Sequence, residues 1–343
     1  MKKMSMVLFV YLFFALTVSF GAKAEQMEAV TVLKFNDWGP PGIGIGKIHQ
    51  KAAEIIKEKT GGRVRVDCYF SQSLLKYPDT FRGVSTGVAD ISLYVPQPIH
   101  EVTRILSMSF TGLPDMLKTA QIYRAMLERH KEFQEEFLRS GVKWIGIRAM
   151  PPNEFHFVKK VAIKAPAEMK GMRIIGNPDM DKEFGQVGAT VIQLGPPDWY
   201  SSLERGLAHG MSTHYCAVYE FKLLELLKSH THFAGAAGAA PIGFIVNVKK
   251  WDTLPPDVQK IIVDTFHWAN EESLKWDVNL VNTAIAEAKK ANHVIKELKP
   301  AEIQQWLDWA KPYTERILAN IESKGWPAKR IYEDFQAVIK KYK

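Results

Sequence analysis

Residues able to bind or react gather in this sequence at the ends of apolar, strand-like runs. Trp38 follows the first run. Gln72, between Ser71 and Ser73, follows the second, and Tyr94 closes the third. Arg148 and Asn153 stand at the exit of a run that starts at Val142, with Glu154 beside them. Ile175 and Asn177 close a run from Met172, and His214 and Tyr215 lie on the run after Gly210. In α/β proteins, ligands sit beyond the carboxyl ends of the strands. Aromatic faces with a few interspersed polar groups make the wall of a binding pocket. Taken singly, each of Trp38, Tyr94 and Tyr215 reads better as a packing residue; the set together points to a cleft.

Catalytic motifs are sparse by comparison. Gly42-Ile43-Gly44-Ile45-Gly46 follows a strand and opens a helix, but the spacing is not that of a dinucleotide fingerprint. No G-x-S-x-G, phosphate loop or H-E-x-x-H is present. His230 and His232 read as surface residues near a helix end, and no cysteine and histidine spacing suits a metal. An exported enzyme using His214 or Glu154 as a general base is a second reading, but no nucleophile–base–orienter set accompanies it. No cofactor is expected. Cys68 and Cys216 are the only cysteines. A bridge between them requires Cα atoms within roughly 7 Å, which the sequence leaves open.

The elements that position these residues alternate in type. A strand at residues 30–35 leads through a Gly/Pro loop to a helix with Ile45, Ile48, Ala52, Ile55 and Ile56 on one face, ended by Thr60-Gly61-Gly62. Strands follow at 63–70 and 88–95, then one long amphipathic helix at 117–139 and strands at 142–150 and 155–159. The segment 169–210 reads as strand, helix, strand, helix. A strand at 211–217, a helix at 219–228, an Ala/Gly loop or hinge at 234–240 and a strand at 242–248 come next. The rest is mostly helical: 257–291, 301–323 with Pro312 inside, and 327–341, with a short strand at 294–298. This alternation predicts an α/β protein.

The N-terminus has the form of a secretory signal. Lys2 and Lys3 precede an apolar run at 6–20, and Ala22-Lys23-Ala24 suits cleavage before Glu25. An uncleaved anchor is the competing reading. Lys2, Lys3 and Lys23 leave with the signal, so the formal net charge falls from +8 to +5. That excess is spread out and not interleaved with aromatics, which argues against nucleic acid.

The order of several segments resembles one family. Thr60-Gly61-Gly62-Arg63-Val64 with its strand, the run from Arg82 to Leu93, Gly188-Ala189-Thr190 with Asp198-Trp199-Tyr200, Glu220 to Glu225, and Asn247 with Trp251-Asp252 are similar to segments of the solute receptors of TRAP (tripartite ATP-independent periplasmic) transporters, the DctP type. The resemblance implies a two-lobe periplasmic binding protein fold with long C-terminal helices bracing both lobes. It places residues 1–24 as signal and 25–150 mainly in lobe 1, with the chain crossing near 117–150. Residues 151–210 fall mainly in lobe 2, 211–250 return to lobe 1, and 251–343 form the long helices. It implies a periplasmic monomer that binds a small organic solute by hinge closure and hands it to membrane subunits, or, alternatively, to a sensor. Two positions depart from the family. Its carboxylate-clamping arginine falls at Ile175, and its Val-Asp-Gly is Ala208-His209-Gly210 here. Arg148 or Arg173 is the available replacement. Without a clamp a buried carboxylate is costly. The ligand is then expected to be neutral, cationic or largely apolar, against an aromatic wall of Trp38, Tyr94, Trp199 and Tyr215.

Overall fold

The computed structural model describes residues 30–42, 44–96 and 99–342, so the predicted signal lies outside the described residues. Its strands, in chain order, are β1 (Thr31–Asn36), β2 (Val64–Tyr69), β3 (Ile91–Tyr94), β4 (Val142–Ala149), β5 (Glu154–Phe157), β6 (Arg173–Ile175), β7 (Thr190–Ile192), β8 (Gly210–Thr213), β9 (Ser229–His232), β10 (Pro241–Asn247) and β11 (Val294–Glu297).

They form two sheets. The first has the order β2-β1-β3-β10-β4 and the second β11-β9-β5-β8-β6-β7. In the first, β1 runs parallel to β2, with Thr31 opposite Val64, and parallel to β3. β10 is antiparallel to both β3 and β4. Parallel pairs need covered faces. The helix Gly44–Lys59 supplies one cover, burying Ala52 and Ile56, while Leu33 and Phe35 of β1 turn into the same core. Phe35 packs there on Phe244 and Phe266.

The chain passes between the sheets at residues 150–153, after β4, and again at 233–240, between β9 and β10. The return therefore comes later than residue 211: β8 and β9 both belong to the second sheet. A third link is the long helix Pro256–Lys290. It packs on the helix Gly44–Lys59, on β4 and on β11. The C-terminal helices brace the assembly. Trp306, fully buried on Pro300–Ser323, stacks on Phe110, and its indole donates to the Lys164 carbonyl at 3.0 Å. Arg316 of the same helix pairs with Glu183 in the second-sheet region. The last helix, Ala328–Tyr342, pairs Asp334 with Arg129 and Arg330 with Glu132, on the helices beside the first sheet.

Three local expectations are corrected. The long helix expected at 117–139 is two helices, Met116–Arg129 and Glu132–Leu138. His130 leaves helical geometry between them, and its Nε2 lies 2.8 Å from Asp334. The strand expected at 211–217 ends at Thr213. His214 then caps the helix Tyr215–Glu220, so a helix stands where half a strand was anticipated. Residues 229–232 form a buried strand instead of a helix end, with His230 only 1% exposed.

Candidate functional site

A cavity of about 1320 Å³ opens between the two sheets. One wall comes from the first sheet and its helices and includes Trp38, Leu93, Arg148, Met150 and Trp276. The other comes from the second and includes Trp199, His214, Tyr219 and Phe221.

The loop after β1 shapes the first wall. The Asp37 carboxylate takes the Gly39 amide at 2.8 Å through one oxygen and meets His49 Nδ1 at 2.6 Å through the other. Both side chains are 1% exposed. This anchor sets Trp38 at the cavity edge, where its indole meets Tyr77 edge-on at 5.8 Å. Gly44 and Gly46 of the Gly42–Gly46 run serve packing. A Cβ on Gly44 would fall 2.3 Å from the Trp276 ring, and one on Gly46 would fall 2.2 Å from the Pro40 carbonyl. Trp276 therefore lies flat on the start of the helix and presents its other face outward; the residue is 40% exposed.

Arg148, at the end of β4, is 2% exposed. Its Nη1 donates to Asp277 at 2.6 Å and to the Ala149 carbonyl at 3.1 Å. Asp277 is itself 4% exposed and comes from the long helix. Burial pushes its carboxyl up, and Arg148 opposes that shift. A buried charge is tolerable only when so paired. Glu220 reaches the cavity from the end of its short helix, and burial, followed by Asp277, raises its carboxyl.

On the second wall, His214 Nδ1 accepts the Ala217 amide at 3.1 Å. The ring proton therefore sits on Nε2. Burial, and next Arg148, pulls its pKa down to about 4, so the imidazole is a neutral donor. Trp199 packs edge-on against Phe221 at 5.3 Å.

Of the residues singled out in the sequence, Trp38, Arg148, Trp199 and His214 line this cavity together. The others lie elsewhere. Gln72 turns its side chain to the Tyr77 amide at 3.0 Å. Tyr94 is fully buried behind the first sheet, its hydroxyl 2.6 Å from His100 Nε2, among Phe81 and Phe137. Asn153 gives its amide to the Gly238 carbonyl, and Asn177 caps the Asp179 amide. Ile175 is 3% exposed in an apolar cluster with Leu203, Met211 and Val218, because β6 turns it under the flanking helices. Tyr215 packs against His156, His230 and His232. Arg173, a possible replacement clamp, spends its guanidinium on the Gly206 and Leu207 carbonyls. Cys68 and Cys216 are both free.

Trp276, Asp277, Tyr219 and Phe221 were not anticipated. A signal existed for Asp277: it continues the buried face Ile262, Phe266, Ala269, Ser273 at helical spacing, where an acid requires a partner. Among the described residues no group of acids, histidines and cysteines could hold a metal ion, and no helix is long and apolar enough to cross a membrane.

Comparison with known proteins places this architecture. The C4-dicarboxylate-binding periplasmic protein DctP of Vibrio cholerae is 23% identical over 324 residues, 88% of this chain and 91% of that protein. A TRAP periplasmic solute-binding protein from Desulfovibrio salexigens, solved as an open complex, superposes with a TM-score of 0.77 at 21% identity, covering 92% of this chain and 97% of that one. A marine-metagenome TRAP solute-binding protein specific for aromatic acids, solved with metahydroxyphenylacetate, also gives 0.77 at 21% identity, covering 91% and 99%. The family model described as bacterial extracellular solute-binding protein, family 7, matches residues 39–320, and the chain belongs to that family.

Proposed function

We propose that this protein is the extracytoplasmic receptor of a TRAP transporter, that its two lobes close on one small organic molecule, and that the closed form is what the membrane subunits recognise. The three links between the sheets at 150–153, 233–240 and the long helix supply a hinge, and the cavity supplies a site that closure would shut. Ligand binding then acts by stabilising the closed population. This reading includes export to the periplasm through a cleaved signal.

The ligand we propose is not a C4-dicarboxylate. The observation that carries this is the state of Arg148: it lines the cavity but already neutralises Asp277. A dicarboxylate would bring two further charges to a site whose buried cation is engaged. Aromatic surfaces at Trp38, Trp199, Tyr219, Phe221 and Trp276 instead favour a compact molecule with an aromatic or apolar body. Relatives of the same fold accept such bodies, benzoate and mandelate among them.

Calorimetry of the mature protein with succinate, malate and fumarate tests this reading. No heat of binding is expected at millimolar ligand. A one-site isotherm with micromolar Kd would overturn it.

A further inference from the structure

Many polar groups on the cavity walls already have partners. On the first-sheet side, Arg148 gives its guanidinium to Asp277 and to the Ala149 carbonyl, and Asp37 holds His49 and the Gly39 amide. On the second-sheet side, the Trp199 indole donates to the Leu194 carbonyl at 2.9 Å and Lys228 to the Glu225 carbonyl at 2.6 Å. His293 Nδ1 meets His230 at 3.1 Å.

His214 differs. It is the cap of the helix Tyr215–Glu220, and its Nδ1 takes the Ala217 amide. The cap fixes the tautomer and puts the ring proton on Nε2. Nε2 has no partner among the described residues, and the ring lines the cavity. After burial, the influence on this ring is Arg148, which belongs to the facing wall, so the imidazole stands where the two walls approach.

Resting on the receptor reading above, we propose that His214 is a specificity-determining residue, whose Nε2–H donates to an uncharged oxygen, a hydroxyl or a carbonyl, carried by the solute. Closure around a solute that lacks this oxygen strips water from the N–H and returns no bond, whereas the oxygen replaces the water. A site built to bond such a group rejects the analogue without it far more strongly than an apolar wall rejects a missing methylene. A neutral ring also suits a neutral acceptor. A carboxylate at this point would lack a free counter-charge, because the nearby guanidinium is already matched by Asp277.

Matched aromatic acids read this out by thermal shift and calorimetry on the mature protein. Phenylacetate is the parent of mandelate, phenylglyoxylate and 3-hydroxyphenylacetate, and benzoate is the parent of 3-hydroxybenzoate. At least one oxygen-bearing acid is expected to bind about 10- to 100-fold more tightly than its parent, the factor for one buried donor left unpaired. His214→Asn separates recognition from folding. Asparagine is a good cap and can still accept the Ala217 amide, but its amide nitrogen ends one bond short of Nε2. The variant is expected to keep the ligand-free Tm, to bind the preferred acid no better than the parent, and to leave the parent unchanged. A preference that survives in His214→Asn would overturn the assignment, as would equal binding of parent and oxygen-bearing acids in the wild type. Equal weakening of both by the substitution would place the carboxylate, not the added oxygen, at the imidazole, and would also overturn it. In each of these cases the receptor reading stands. If no acid of either set shifts the melting of the folded wild-type protein, the aromatic solute proposed above fails together with the role of His214.

Discussion

The two walls of the cleft hold their polar groups by opposite means. On the first-sheet wall, charge is matched to a partner: Arg148 to Asp277, and the Asp37 carboxylate to His49. Behind the second-sheet wall, the polar groups form a chain of uncharged rings. His156 Nε2 lies 3.1 Å from the Thr213 carbonyl, which can only accept, so that nitrogen carries the proton. His156 Nδ1 is then an acceptor, and His230 Nδ1 donates to it at 2.7 Å. His230 Nε2 in turn accepts from His293 Nδ1 at 3.1 Å. The chain works only if each ring is neutral. Burial enforces this, lowering His156 well below the ordinary value and His230 to about 3. One wall therefore has its charges fixed by pairing, while the imidazole chain behind the other stays uncharged only as long as the solution does not force protons onto it.

Acid should separate the two walls most strongly. The folded pKa values of His156, His214 and His230 all lie below the unfolded value near 6.5. The unfolded chain then binds protons that the folded chain refuses. Stability is full above the unfolded value and falls as pH drops through the window between 6.5 and about 4 for His214 or about 3 for His230. Each histidine contributes a slope of about 1.4 kcal/mol per pH unit there. Glu154, whose carboxyl burial raises, and His232, which burial lowers but Glu154 raises on balance, take up protons in the fold and work in the other direction. A net loss of several kcal/mol is expected between pH 6.5 and 4.5 in urea unfolding. His156→Gln should remove about one proton from that slope. A flat pH profile would break the contrast between the walls.

The next effect belongs to the first wall. Asp277→Ala leaves Arg148 buried without its carboxylate and should cost about 3–5 kcal/mol. Joint replacement, Arg148→Met with Asp277→Leu, removes both charges and should recover most of that loss. A single-mutant loss below about 1 kcal/mol is the range of an exposed pair and would show that solvent screens this one.

How much of this was readable beforehand depends on where each residue's partner lies. The helix Gly44–Lys59 and its glycine stop were legible because apolar spacing and the C-terminal glycines are local signals. Arg148 was legible as a strand-end cation, but its partner is 129 residues away, so its charge state was not. The break at His130 is tied to Asp334, 204 residues on. β9 reads Ser-His-Thr-His, a polar sequence that looks exposed; it is buried because its histidines find partners on β5, His230 at His156 and His232 at Glu154. Ile175 was rightly located on a strand. A three-residue strand does not disclose which layer it faces, and its burial under Leu203 and Val218 follows from helices that arrive later in the chain.

The smallest expected effect tests whether the imidazole chain is self-contained. Tyr215 is 1% exposed and lies across the chain, its ring 4.9 Å from His156 and 5.4 Å from His230. Its hydroxyl finds no partner among the described residues. A buried hydroxyl without a bond costs desolvation and returns nothing, so Tyr215→Phe should keep the ring packing and change stability by about 1 kcal/mol or less, toward greater stability. The acid slope should be unaltered, because the proton order from His293 to Thr213 is complete without the phenol. Urea unfolding at pH 7 and pH 5 measures both quantities. A loss well above 1 kcal/mol, or a changed slope, would mean that the phenol donates into the chain, and the second wall would then hold its polar groups by a network that includes Tyr215 rather than by the histidines alone.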